Sequence, residues 1–211
     1  MSNSTMILTY GVFPLASYLI GAIPFGFLIG KCKGVDIRKE GSCNIGATNV
    51  TRVVGKWWGK LCFLCDFLKG FLPVFAVSFL KDVPQWYGVL IAVLTVAGHI
   101  FPVYLKFKGG KGVSTAGGAV MALSPLSVVC AAVVWVVTFL IGRYVSLASI
   151  LAAVVLPFAA WGLTYAGFQL SLPVLILLIF LAVLTVWRHR SNIQRLLNGT
   201  ENRFDRKKKG E

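Results

Sequence analysis

With 211 residues, 57% of them hydrophobic, a mean hydropathy of +0.79 and only 13% charged, the chain is far more apolar than a soluble domain, where roughly 45–50% is usual. An ordinary soluble enzyme is excluded, and the composition reads as an integral membrane protein forming one domain over residues 1–211. The 21 Lys+Arg against 7 Asp+Glu give a net charge of +14; in a membrane chain that excess belongs to cytoplasmic loops and anionic headgroups, so no nucleic-acid partner is expected.

Five cysteines, Cys32, Cys43, Cys62, Cys65 and Cys130, make no disulfide framework. The lone C-x-x-C of Cys62 and Cys65 lacks the second pair or nearby histidine of a zinc site, and carboxylates are too scattered for a metal cluster, so no metal or other cofactor is expected. The start of the chain has no basic segment or cleavage site and reads as a retained first span.

Residues 6–30 are apolar over more than the ~20 helical residues that cross a bilayer, and form the first expected span. Residues 31–60 carry seven basic residues, Lys31, Lys33, Arg38, Lys39, Arg52, Lys56 and Lys60, and belong in the cytoplasm, with the N-terminus outside. The second span, about 61–80, ends at Lys81-Asp82-Val83-Pro84; the third, about 86–105, returns the chain at Lys106, Lys108 and Lys111.

Residues 112–142 are too long for one comfortable span. Parity decides between one helix and two. Splitting them at Leu123-Ser124-Pro125 into 112–122 and 125–142, followed by spans 145–165 and 172–187, leaves Lys81 as the one basic residue outside. The expectation is an all-α, polytopic protein with seven transmembrane helices, some short or broken, N-terminus outside and C-terminus cytoplasmic. Its basic tail, 199–211, ends in Arg206-Lys207-Lys208-Lys209 against anionic lipid. No internal repeat supports a duplicated transporter architecture.

Three polar patches then share the cytoplasmic face. The first is GSCNIGATNVTR, residues 41–52: Gly41 and Gly46 permit unusual backbone shapes, Ser42, Asn44, Thr48 and Asn49 cap helices or hydrogen-bond oxyanions, and a helix starting near Gly46 would lead to Arg52. A capped re-entrant turn accounts for these residue types equally well. The second is GHIFPVYLKFKGGKGVSTAGG, residues 98–118. Its KGGKG is no Walker A loop, because Gly112 follows Lys111 where Ser or Thr is required; Lys111 among Gly109, Gly110 and Gly112 still suits a phosphate. Lys106 and Lys108 are explained by topology. His99 serves equally well as a structural or a working residue. The third is RHRSNIQRLLNGTE, residues 188–201, with His189 and Asn192 on one helical face and a helix stop at Asn198-Gly199. Asp66 and Lys69 form an i,i+3 pair, functional by default at the membrane edge, though pairing alone explains it.

Six ordered blocks, SYLIGAIPFGFLIGK, GSCNIGATNV, the D-x-x-K-G of Asp66 to Gly70, GHIFPVYLKFKGGKGVST, GRYVSLASI and HRSNIQRLLNGTE, resemble the bacterial acyl-phosphate:glycerol-3-phosphate acyltransferase family over nearly the whole chain. Cys43 departs from the glycine common there. The resemblance implies a seven-helix inner-membrane enzyme that needs no cofactor. Its partners would be glycerol 3-phosphate, acyl phosphate and membrane lipids, with no obligate protein partner. It also implies that Ser42, Arg52 and Lys111 contact phosphate, with Asn44, Gly109, Gly110 and Gly112 supplying loop backbone beside Thr48, Asn49 and His99, and that His189 and Asn192 hold glycerol 3-phosphate.

An acyl phosphate is a mixed anhydride with a good leaving group, so attack by the 1-hydroxyl of glycerol 3-phosphate needs orientation and charge neutralisation more than a strong nucleophile. No Ser-His-Asp constellation is visible, and five positions beyond each histidine stand Tyr104 and Gln194 rather than an H-x4-D aspartate. Direct transfer without an acyl-enzyme is therefore expected, with a substrate phosphate, His99 or His189 taking the proton. The contrasting readings are a small phosphate or organic-anion transporter and a lipid-binding scaffold.

Overall fold

The structure, a computed structural model, describes residues 2–204, and every regular element among them is a helix. The basic run Arg206 to Lys209 lies outside the described residues. Two compact units are present: residues up to Pro125 together with Ser171–Leu177, and Leu126–Leu170 together with Leu178 onward.

In the first unit, α1 spans Asn3–Ala22 and contains a π-turn at Leu8–Val12. The Tyr87 hydroxyl donates to the Thr9 carbonyl within that turn, and the Tyr18 hydroxyl to the Phe101 carbonyl at 2.8 Å. The helix does not run on to residue 30 as its apolar sequence suggests. Pro24 disfavours helical geometry at Ile23, whose ψ is 116°, and α2 starts afresh at Phe25–Cys32. Then come α3 (Ala47–Val53), α4 (Lys56–Ala76), α5 (Trp86–Ile100) and α6 (Val113–Leu123). The expected start of α3 behind Gly46 is present, and α4 begins about a turn earlier than its apolar run.

The second unit holds most of α7 (Pro125–Gly142), α8 (Val145–Tyr165), the end of α9 (Leu172–Arg188) and α10 (Arg190–Leu197), the last two meeting at a 56° bend. The break between α6 and α7 falls at Ser124, within the expected Leu123-Ser124-Pro125, with Pro125 opening α7, where its missing N–H is no loss. Among the described residues five helices are long and apolar enough to cross a membrane, six if the bent α9–α10 pair is one span; α6, with 11 residues, is shorter.

Glycines set two close helix crossings of the first unit. A Cβ at Gly21 would strike the Thr95 carbonyl and one at Gly98 the Tyr18 carbonyl, joining α1 to α5. Gly70 lies against the Thr115 backbone and Gly118 against the Phe67 carbonyl, joining α4 to α6. In lipid there is little hydrophobic gain from pairing helices, so close backbone approach supplies the contact. Large side chains turn outward instead: Phe63, Leu64, Leu72 and Phe75 of α4 are exposed, and Phe63, Phe67, Phe71 and Phe75 stack every fourth residue at 5.2–6.2 Å between centroids. Replacing Gly70 with Ala is expected to cost about 1–3 kcal/mol through overpacking, read by thermal unfolding in detergent. Gly162→Ala in α8, where a Cβ meets nothing within 4 Å, is the control and should unfold at or above the wild-type temperature; identical melting of both variants would show that the α4–α6 crossing is not tight.

Candidate active site

The loop from Val35 to Gly46 is built around Asn49. Its amide nitrogen donates to the carbonyls of Ile37 and Glu40 at 2.9 and 3.0 Å, and its oxygen accepts from the Ser42 amide at 2.8 Å. Asn49 is only 1% exposed, so this side chain staples the loop that presents Ser42. Asn44 accepts from the Gly46 amide at 2.8 Å and turns the chain into α3, which carries Thr48 and Arg52. Gly41 and Cys43 are both left-handed, with φ of 60° and 55°. That backbone is the physical reason for a glycine at 43; a side chain there is strained.

Beneath the loop, Ile37, Ile45, Val50 and Cys62 form a buried apolar cluster against which Leu105 also packs. Leu105 leads into the second polar patch, so residues 37–54 and the turn after α5 share one core. Several basic residues of this region lie over rings: Lys33 over Trp58 at 4.2 Å, Arg38 over Phe27 at 4.4 Å and Lys60 over Trp57 at 4.6 Å. Arg38 also grips Asp36 at 2.7 Å, and this hydrogen bond holds the Asp36 carboxyl down at about 2.

After α5 the chain passes through left-handed Lys106 and Phe107 and folds back on the helix end. The Gly109 and Gly110 amides donate to the Ile100 and His99 carbonyls, each at 3.1 Å, so they cap orphan carbonyls of α5. Side chains are barred at both positions: a Cβ at Gly109 would strike the His99 carbonyl and one at Gly110 the His99 ring nitrogen Nε2. Gly112, with φ of 84°, turns the chain from Lys111 into α6. His99 is buried, its Nδ1 3.6 Å from Asp66 Oδ1. The same oxygen is 2.8 Å from Lys69 Nζ, which donates to the Ile23 carbonyl at 2.7 Å, and the Cys62 thiol donates to the other carboxylate oxygen at 3.6 Å.

His189 and Asn192 belong to the second unit and are both buried. Nδ1 of His189 is 2.8 Å from the Thr185 carbonyl; a carbonyl only accepts, so Nδ1 carries a proton and Nε2 holds the lone pair of the neutral ring. Asn192 donates to Glu201 Oε1 at 2.7 Å, Ser146 donates to the same oxygen at 2.8 Å, and Arg195 binds Oε2 at 2.7 Å. Burial by itself raises the Glu201 carboxyl, and these three hydrogen bonds outweigh it and hold the group below the usual glutamate range. Glu201 and Ser146 went unassigned in the sequence. The available signal was that no carboxylate stands between Asp82 and Glu201, which follows directly on a helix stop.

The class these features define is an all-helical integral membrane protein with polar loops packed on glycine-rich helix ends. The family profile described as glycerol-3-phosphate acyltransferase matches residues 11–199. Similar proteins include glycerol-3-phosphate acyltransferases of Aquifex aeolicus, 47% identical over 89% of this chain and 95% of that protein, and Geotalea daltonii, 44% identical over 91% and 96%. The crystal structure of PlsY, an integral membrane glycerol 3-phosphate acyltransferase, in its glycerol 3-phosphate form superposes with a TM-score of 0.84, at 45% identity over 92% of this chain and 94% of that one. A second form of PlsY holds lysophosphatidic acid and gives 0.81. The chain belongs to the glycerol-3-phosphate acyltransferase family.

Cys43→Gly is expected to raise stability by about 0.5–1 kcal/mol by relieving the left-handed cysteine, measured as a higher unfolding temperature in detergent. Glu201→Gln should lower stability by roughly 2 kcal/mol at neutral pH, since it removes charge from three hydrogen bonds. A lowered folded pKa contributes stability that is present above the unfolded glutamate value and is lost as pH falls through the folded one. The gap in melting temperature between wild type and Glu201→Gln should therefore be full near pH 7 and close as the pH drops below about 4; a gap independent of pH would show that the carboxylate charge is not its source.

Proposed function

We propose that the protein transfers the acyl group of an acyl phosphate to the 1-hydroxyl of glycerol 3-phosphate, giving lysophosphatidic acid and inorganic phosphate. The observation that carries this reading is the likeness over nearly the full chain to PlsY, which has a glycerol 3-phosphate form and a lysophosphatidic acid form. The donor is argued from chemistry: an acyl phosphate brings its own leaving group and a second phosphate, and a site of cations and short polar side chains suits two phosphates.

In this reading Ser42, Arg52 and Lys111 contact phosphate, with Asn44 and Thr48 beside them. Asn49 acts by holding the Ser42 loop, and Gly109, Gly110 and Gly112 by letting the Lys111 backbone lie against α5. His189 and Asn192 hold glycerol 3-phosphate. The Nδ1 hydrogen bond of His189 leaves Nε2 as the nitrogen that accepts from a substrate hydroxyl. The glycerol oxygen bonds to the acyl carbon, the anhydride C–O bond breaks, and the hydroxyl proton passes to a substrate phosphate, whose second pKa near 6 makes it a usable base. No acyl-enzyme forms. The polypeptide works as a single domain in the bacterial inner membrane, spanning it seven times with the N-terminus outside and the site and basic C-terminal tail in the cytoplasm. Positive charge counted loop by loop supports this orientation.

The test gives purified protein glycerol 3-phosphate with acyl phosphate or, separately, with acyl-CoA. Lysophosphatidic acid is expected from acyl phosphate only, and Lys111→Ala should lower kcat/KM by ~100-fold or more, as loss of one charge-stabilising donor does. No product from acyl phosphate defeats the reading, product from acyl-CoA alone replaces the donor, and a trapped acyl-Ser42 replaces direct transfer. Uptake of phosphate into liposomes without any product would favour a transporter instead.

A further inference from the structure

We propose that Asp66 and His99 are a positioning pair for the 109–112 loop, holding the backbone from which Lys111 reaches a phosphate group. The proposal rests on the phosphate reading of Lys111. Asp66 and Lys69 already balance each other's charge at 2.8 Å, and Lys69 has its own structural task at the Ile23 carbonyl. Charge balance therefore does not call for a third polar partner. Yet His99 Nδ1 lies 3.6 Å from the same carboxylate oxygen in a site where Asp66, Lys69 and His99 are all at most 5% exposed.

The far edge of the imidazole shows what the contact does. A Cβ at Gly110 would fall on His99 Nε2, and the Gly110 amide donates to the His99 carbonyl. Residue 110 is thus seated on both the ring and the backbone of His99, one residue before Lys111. At 3.6 Å the Nδ1 edge is beyond hydrogen-bond length from Asp66 Oδ1 and within range of its charge, so the carboxylate orients the ring electrostatically, and the loop rests on the opposite, Nε2, edge. The framework is continuous, because Asp66 stands on α4, whose Gly70 packs on the Thr115 backbone of α6, the helix that starts directly after Gly112. Loop and carboxylate are therefore referred to the same helix crossing. Asp66 and His99 act through Lys111 and are not assigned contact with substrate.

The experiment measures kcat, KM for glycerol 3-phosphate, KM for acyl phosphate and the unfolding temperature in detergent for five enzymes: wild type, His99→Leu, His99→Asn, the double variant Asp66→Asn/Lys69→Met, and Lys111→Ala. His99→Leu is expected to raise KM for one phosphate substrate by about tenfold or more, the scale of losing an orienting partner, while its unfolding temperature stays near wild type. Which of the two KM values rises identifies the phosphate held. Asn places an amide donor where Nδ1 stands, so His99→Asn should recover most of the loss. The double variant removes both buried charges and leaves no lone ion, and the Ile23 carbonyl keeps the Phe25 amide; it carries the test if His99→Leu does not fold, with a lower unfolding temperature from loss of the Lys69 contacts and the same selective rise in KM expected. Wild-type KM values in His99→Leu or in the double variant overturn the proposal. So does equal damage in the Leu and Asn variants tracked by a fall in unfolding temperature, or failure of both the Leu and the double variant to fold, since the cluster is then scaffold. Full activity in Lys111→Ala overturns the phosphate reading itself, whereas an impaired Lys111→Ala beside a normal His99→Leu defeats the pairing alone.

Discussion

The ion pair of Asp66 and Lys69 is the contact on which the first unit depends. Two charges buried in a membrane helix are tolerated only when they neutralise each other and their remaining hydrogen-bonding positions are met. Here the lysine has a second duty, because Pro24 ends α1 and leaves the Ile23 carbonyl without a helical partner. The Phe25 amide reaches that carbonyl at 3.1 Å across the break and Lys69 donates to it at 2.7 Å, so both of its acceptor positions are met in lipid, where an unmet polar group costs several kcal/mol. The break at Ile23 and Pro24 is thereby stable, and α2 delivers the chain to the Ser42 loop from a fixed point.

The glycine crossings follow from the same scarcity of driving force in lipid. Where α1 meets α5 and α4 meets α6, backbone approaches backbone, and the polar loops leave these helices directly. Gly109 and Gly110 extend the pattern beyond the helix end, since their amides cap α5 and their missing side chains let the loop lie on His99. The glycines of KGGKG thus serve packing as much as flexibility. Lys111 is held by geometry that no larger residue at 109 or 110 would allow.

Much of this was legible in the sequence because it rests on local chemistry. Pro125 after Leu123-Ser124, Gly46 before α3 and Asn198-Gly199 after α10 are punctuation that works over a few residues. The apolar run from 6 to 30 concealed the break at Ile23, because its stabilising partner, Lys69, is 46 residues away. Glu201 was hidden for the same reason: its meaning comes from Ser146, 55 residues earlier. Asn49 was legible as a polar loop residue, but only the folded loop shows that its amide holds Ser42 in place.

Charge along the sequence assigns every basic residue an expected side of the membrane and does not rank them. The folded chain ranks them by their neighbours. Lys33, Arg38 and Lys60 lie over aromatic rings, which suits cations that anchor loops at an interface, whereas Arg52 stands on α3 behind the stapled loop and Lys111 follows a glycine seat. A phosphate needs a cation whose position is already fixed, because ordering a long side chain on binding subtracts from affinity. Rigid backbone support beneath Arg52 and Lys111, rather than the size of the +14 net charge, is therefore what sets these two apart from the ring-stacked cations, and it is the support that the proposed phosphate roles call for.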